Sequence, residues 1–179
     1  MAATRTGERL IRTLHVGGRE KPELLADLAS AGVRLNPLAE ALFGDERFTT
    51  SRERVPVVSV AVTAAELGLP NGGTFDAIVA RAAERGLQLC PLELAPHLRL
   101  ALLDQPEGAI GRPVTEHRAP PGSLTVASAP LCDDEAVPKG FYLRRIEGEL
   151  WLRGYQSWSG HVWSGEDTFV FVSGGLRRR

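Results

Sequence analysis

The stretch from Phe141 to Tyr155 constrains the fold of this chain more tightly than any other. It holds two runs of alternating polar and apolar residues around Glu147-Gly148, a pair suited to a two-residue hairpin turn. Closed in that way, the hairpin sets Arg144 opposite Trp151 and Tyr142 opposite Arg153 on one face. Phe141, Leu143, Leu150 and Leu152 make the other face, which has the composition of a core. The first face interleaves arginine with aromatic rings, and Tyr155 extends it. Exposed Arg–aromatic pairs contribute about 0.5–1 kcal/mol each, and both residue types are enriched at protein interfaces. This face is a candidate protein-binding surface. The plainer expectation is a solvated sheet face, or one lying under helices.

Other segments of the second half also read as strands: Leu98–Leu103, Leu124–Ser128 and Thr168–Val172, with a long Pro/Gly-bearing connection from Asp104 to Pro121. The first half reads mainly as short amphipathic helices. Glu8–His15 groups Leu10, Ile11 and Leu14 before Gly17-Gly18. Pro22 opens a second helix carrying Leu24, Leu25 and Leu28, closed by Gly32. Asn36-Pro37 starts a third, and Thr74 caps a fourth with Phe75, Ile78, Val79 and Ala82 on one stripe. Val57–Val62, rich in β-branched residues, is the one strand expected there. The expected fold class is therefore α+β, with short N-terminal helices packed on a C-terminal antiparallel β-sheet. Residues 1–179 are expected to form a single domain, mainly helical over 1–89 and mainly stranded over 90–179.

Composition narrows the function classes. The chain has 179 residues, 43% of them apolar, and a formal net charge of −1, which argues against disorder and against a nucleic-acid coat. Among the 21 basic residues only Lys21 and Lys139 are lysine; the rest are arginine, the better residue for bidentate contacts and stacking. No segment has the apolar length of a membrane span, and the N-terminus lacks the apolar core of a secretory signal. Cys90 and Cys132 have no paired spacing and are expected to be small buried hydrophobes. The expected location is the cytoplasm.

Motifs for chemistry are sparse. The four histidines, His15, His97, His117 and His161, are scattered, and Cys90, Glu93 and His97 are separated by Pro91 and Pro96. No metal or cofactor is expected, and no catalytic residue is assigned. Asp133-Asp134-Glu135 reads as an acidic turn. Gln156–Trp163 brings Trp158, His161 and Trp163 into a Gly/Ser-bearing loop near Tyr155. Those rings either stack on a sugar, a base or a partner side chain, or plug the open end of the sheet core. Residues 63–85 resemble a helix-turn-helix, although the turn is long and the second helix carries Asp76 and Glu84 beside Arg81 and Arg85. The Arg177-Arg178-Arg179 end is expected to be a solvated tail.

The segments Leu89-Cys-Pro-Leu-Glu-Leu-Ala-Pro-His-Leu-Arg-Leu100 with Asp104-Gln105-Pro106, then Lys139–Ile146 and Leu150–Tyr155, resemble an uncharacterised bacterial protein family. The resemblance implies a bacterial cytoplasmic protein and assigns no activity or catalytic residue. The functional expectation is a non-enzymatic protein-binding module, such as an accessory or immunity-type inhibitor, whose partner is another protein. Its binding residues are Tyr142, Arg144, Trp151, Arg153, Tyr155, Trp158, His161 and Trp163. One alternative is a small-ligand-binding protein or enzyme with a pocket between helices and sheet, built from His97, Arg99, Asp104 and Gln105. Another is a DNA-binding regulator using residues 63–85. No oligomeric state is implied.

Overall fold

Alternation rather than helical spacing governs the N-terminus. In the computed structural model, which describes residues 4–6, 9–108 and 119–174, Leu14 and Val16 are buried while Ile11, Thr13 and His15 are exposed. That is a strand pattern. The helix expected over Glu8–His15 is replaced by β2, Arg9–Val16, which follows β1, Thr4–Thr6. Leu10 and Leu14 are four apart, a spacing that suits both periods. Six residue pairs with β4, from Ile11↔Val60 to Val16↔Val55, decide for the strand.

The remaining elements run in order: α1 (Lys21–Ser30), β3 (Arg34–Leu35), α2 (Pro37–Gly44), β4 (Val55–Thr63), β5 (Gly73–Thr74), α3 (Phe75–Ala83) and β6 (Leu87–Gln88). The second half adds α4 (Leu94–Ala101), β7 (Leu124–Val126), β8 (Gly140–Ile146), β9 (Glu149–Tyr155), β10 (Val162–Trp163) and β11 (Thr168–Ser173). The helices start as their sequences direct. Asn36 Oδ1 accepts from Ala39 N at 2.9 Å, and Thr74 Oγ1 accepts from Ala77 N at 3.3 Å.

Leu98–Leu103, expected as a strand, lies largely in helix α4. Its buried residues Leu94, Ala95, Leu98 and Arg99, followed by buried Leu102, recur at three and four. Pro96 sits in the first turn, where its missing N–H is not needed. The even spacing of Leu98, Leu100 and Leu102 only imitates a strand.

Among the described residues the main sheet has nine strands, ordered β1-β2-β4-β11-β7-β8-β9-β3, with β6 also paired to β11. The fold is mixed α and β, but two parts of the expectation are corrected. The sheet is not purely antiparallel, because β11 pairs parallel with β7 and β3 with β9. Nor does the sheet belong to the second half alone, since β2, in place of an expected helix, and β4, over the strand expected at Val57–Val62, supply one side of it. Helices are likewise spread along the chain, with α4 beyond residue 90.

The sheet buries both faces. One hydrophobic cluster joins Leu24, Leu28, Leu42, Phe43, Leu94 and Leu98 of α1, α2 and α4 to Leu14, Phe141, Leu143, Leu152 and Val170 of the sheet. Gly154 lets the start of α2 lie directly on β9: a Cβ there would come within 2.6 Å of Leu38 C. A second cluster packs Ile78 and Ala82 of α3 on Val60, Val62, Phe169 and Phe171. Among the described residues no helix is long and apolar enough to cross a membrane.

Candidate functional site: an aromatic groove beside the hairpin

The β8–β9 hairpin closes in the expected register, pairing Arg144 with Trp151, Tyr142 with Arg153 and Leu143 with Leu152. Since Gly154 and Leu152 face α2, the side chains of Tyr142, Arg144, Trp151, Arg153 and Tyr155 project from the other face of the sheet. All five are half-buried. The stacking is not the one the register alone suggests. Trp151 carries the Arg153 guanidinium 4.9 Å from its ring centroid, and Arg34 of the neighbouring β3 at 5.3 Å. Arg153 Nε donates to the Tyr142 hydroxyl at 2.9 Å, while Arg144 Nε is buried without a partner among the described residues. Arg34 also pairs with Glu149 at 2.5 Å.

This strip runs into the tryptophan loop. Strand β10 pairs with β5, setting Trp163 against Gly73 at the start of α3. Gly72 adopts φ +80°, and a Cβ there would meet the Trp163 carbonyl oxygen at 1.8 Å, so the loop can dock only on glycine. Trp163 is 6% exposed and plugs the second core, 5.1 Å from Phe169 and 5.5 Å from Tyr155, perpendicular to the latter. Trp158 does the opposite. It is 48% exposed, with His161 5.0 Å from it and 5.0 Å from Trp163. Trp163 thus takes the core-plugging position, and Trp158 stands open to solvent.

Two hollows meet at these rings. The smaller, about 180 Å³, lies between Thr125, Tyr142 and Tyr155 on the sheet and Trp158, His161 and Trp163 of the loop. The larger, about 470 Å³, shares Tyr155, Trp158 and Trp163 and is closed by Phe75, Asp76 and Val79 of α3 and by the 128–139 connection. That volume falls in the range of small-ligand clefts. Ser128, 2% exposed, and Trp163 both line it, and among the described residues neither Ser128 Oγ nor Trp163 Nε1 has a hydrogen-bond partner. Burial raises the Tyr155 phenol above its ordinary value, which keeps it a neutral hydroxyl.

Five of the eight expected binding residues, Tyr142, Tyr155, Trp158, His161 and Trp163, come together around the smaller hollow. Arg144, Trp151 and Arg153 continue the same face beside it. Phe75, Asp76, Ser128, Asp133, Glu135 and Lys139 were not foreseen as site residues. Only the acidic run 133–135 carried a visible signal, which reads equally well as a solvated turn. No family model, curated protein or solved structure matches the chain. Function is therefore inferred from geometry.

The other arrangements come apart. Of His97, Arg99, Asp104 and Gln105, only Arg99 and Gln105 meet directly among the described residues. His97 Nε2 accepts from Gly17 N at 3.2 Å, Asp104 meets Arg12 at 3.6 Å on the surface, and Arg99 is fully buried. Arg99 Nη1 donates to Gln105 Oε1 at 2.5 Å and Nη2 to the Leu102 carbonyl, while Gln105 Nε2 reaches Gly122 O and Leu143 O. Burial, and then the charge of Arg145, lower the Arg99 pKa to about 10. This network knits α4 to the hairpin.

The helix-turn-helix resemblance over residues 63–85, the basis of the DNA-binding alternative, is not realised as two helices: the only helix there is α3. Thr63 and Glu66 form the reciprocal bonds of a capping box, but the segment they cap is a turn. Arg81 is paired with Glu84, and Arg85 donates to the Glu66 carbonyl. Among the described residues no three His, Cys, Asp or Glu side chains form a group able to hold a metal. Cys90 is buried, donates to Val170 O at 3.3 Å, and has its thiol pushed up by burial, which makes it inert. His117 and the Arg177–Arg179 end lie outside the described residues.

Proposed function

We propose that the protein is a non-enzymatic binding module that takes another protein along the groove formed by the Arg–aromatic strip and the tryptophan loop. The observation that carries this reading is Trp158, a large ring left 48% exposed where the strip ends and both hollows begin. A ring held by its neighbours yet open to solvent offers much apolar area to a partner at low cost in side-chain entropy. Trp151, half-buried on the same sheet face with Arg34 and Arg153 5.3 and 4.9 Å from its ring centroid, adds an aromatic contact on the strip.

Selection of a phage-displayed random peptide library on the immobilised protein tests the reading. Enriched peptides are expected to lose binding at least about tenfold to Trp158→Ala and to the double variant Trp151→Ala/Arg153→Ala. Circular dichroism should show both variants folded. Peptides that bind all variants equally, or no enrichment at all, would overturn the proposal.

A further inference from the structure

The larger cleft carries a charge pattern that the binding reading leaves unexplained. Asp76 opens α3, and Asp133 and Glu135 lie on the facing connection; all three line the cleft, are exposed, and form no ion pair among the described residues. The one cation lining it among the described residues, Lys139, is folded back on its own loop, with Nζ donating to Cys132 O at 3.0 Å and Asp134 O at 2.8 Å. Tyr155, Trp158, Trp163 and Phe75 line the same cleft. The perpendicular contact of Tyr155 and Trp163 turns a ring face and a ring edge against each other, as the walls of a box do. Aromatic walls attract a cation through the ring quadrupole, and carboxylates at the rim raise its local concentration.

Resting on the binding reading above, we infer that this cleft is the specificity pocket of the groove and takes an organic cation, the guanidinium or ammonium head of a partner's arginine or lysine side chain. Two buried orphan groups favour a side chain over a free cation. The Trp163 indole N–H is a donor only, and the Ser128 hydroxyl can donate as well. A bare alkylammonium has no acceptor to offer them, whereas a polypeptide that delivers a cationic side chain brings backbone carbonyls with it. Burying these two groups unpaired is costly. A backbone carbonyl that reached either group would relieve that cost. The charge pattern also sets polarity along the groove: arginines 34, 144 and 153 at the strip end, carboxylates 76, 133 and 135 at the cleft end.

The test titrates the full-length ¹⁵N-labelled protein with three capped tripeptides, Ac-Gly-Arg-Gly-NH2, Ac-Gly-Gln-Gly-NH2 and Ac-Gly-Glu-Gly-NH2, and with tetramethylammonium chloride. The chain has three tryptophans, so its three indole N–H resonances can be assigned by single Trp→Phe variants. The Arg peptide is expected to shift the Trp158 and Trp163 indole signals saturably, leaving Trp151 in place. Asp76→Asn/Asp133→Asn/Glu135→Gln should weaken it about tenfold. Because those three side chains are exposed and unpaired, the variant should keep its fold, and Asp133→Asn alone should give a smaller loss in the same direction. The inference is overturned if the Gln or Glu peptide binds equally, if the neutralised variant binds as well as the parent, or if no saturable shift occurs. Tetramethylammonium binding as tightly as the Arg peptide overturns the side-chain source. If library peptides depend on Trp158 yet carry no basic residue, the cationic pocket falls while the binding module stands. Arg-peptide binding with no peptide enrichment has the reverse meaning.

Discussion

His97 shows how a single side chain can make the fold sensitive to pH. Its Nε2 accepts the Gly17 N–H that follows β2, and this requires a neutral imidazole. Burial, then the charges of Arg54 and Arg19, lower its pKa, with Asp27 opposing. A base whose folded pKa is depressed takes up its proton more readily when unfolded. Its contribution to stability is therefore complete above the ordinary histidine value of ~6.5, and it is lost progressively as pH falls below it. Thermal melting between about pH 7.5 and pH 5.5 should show a falling Tm. His97→Gln, which keeps an acceptor for Gly17 but does not titrate, should flatten that fall. An unchanged slope would place the acid sensitivity elsewhere. His97 and Arg99 were both legible as unusual polar residues in a leucine-rich stretch. Their separation was not, because a two-residue offset reads as one strand face when the segment is taken for a strand. In helix α4 the same offset turns them apart, Arg99 into the core and His97 toward β2.

At the scale of elements, local chemistry was most readable where one residue type enforces one geometry. Asn36-Pro37, Thr74 and Glu147-Gly148 each lie at an element boundary of the kind expected. Where leucines recur at spacings common to both periods, as in β2 and α4, partners elsewhere in the chain made the choice. The tryptophan loop was readable only as a pair of alternatives, since the docking of β10 on β5 depends on residues far apart in sequence. The hairpin turn itself retains a local mismatch. Glu147 has φ +52° and Gly148 φ +77°, the double left-handed conformation of a type I′ turn. Glycine accepts this freely and asparagine nearly so, but glutamate does not. Glu147 is exposed, so Glu147→Asn should stabilise the protein by about 0.5–1 kcal/mol, raising Tm by roughly 1–4 °C. A calorimetric Tm at or below that of the parent would show that the turn is not under strain.

Across the whole molecule, the decisive pairing is between strands that the sequence places at opposite ends. Strand β11 inserts between β4, from the first half, and β7, from the second, and pairs with β4 at five positions from Thr168↔Thr63 to Val172↔Ser59. The larger core runs from Leu14 to Val170 and includes side chains of three helices. Neither half can bury its own apolar face without the other. The pattern of helices first and strands later, inferred from local spacing, hid this because strand pairing at long range leaves no local signature. Unfolding should accordingly be one event. Far-ultraviolet circular dichroism, which follows the sheet and helices, and near-ultraviolet circular dichroism, which follows Trp151, Trp158 and Trp163, should give coincident denaturant transitions. A segment spanning residues 90–179 should remain unfolded alone, since β11 would lack β4 and the hairpin would lack α2. Two separated transitions, or an independently folded C-terminal segment, would mean that the groove belongs to a unit able to bind without the N-terminal half. Coincident transitions would instead make the groove as stable as the whole sheet, so that a core substitution remote from it, such as Leu24→Ala in α1 at a cost of about 2–5 kcal/mol, lowers the bound fraction only by depleting the folded protein.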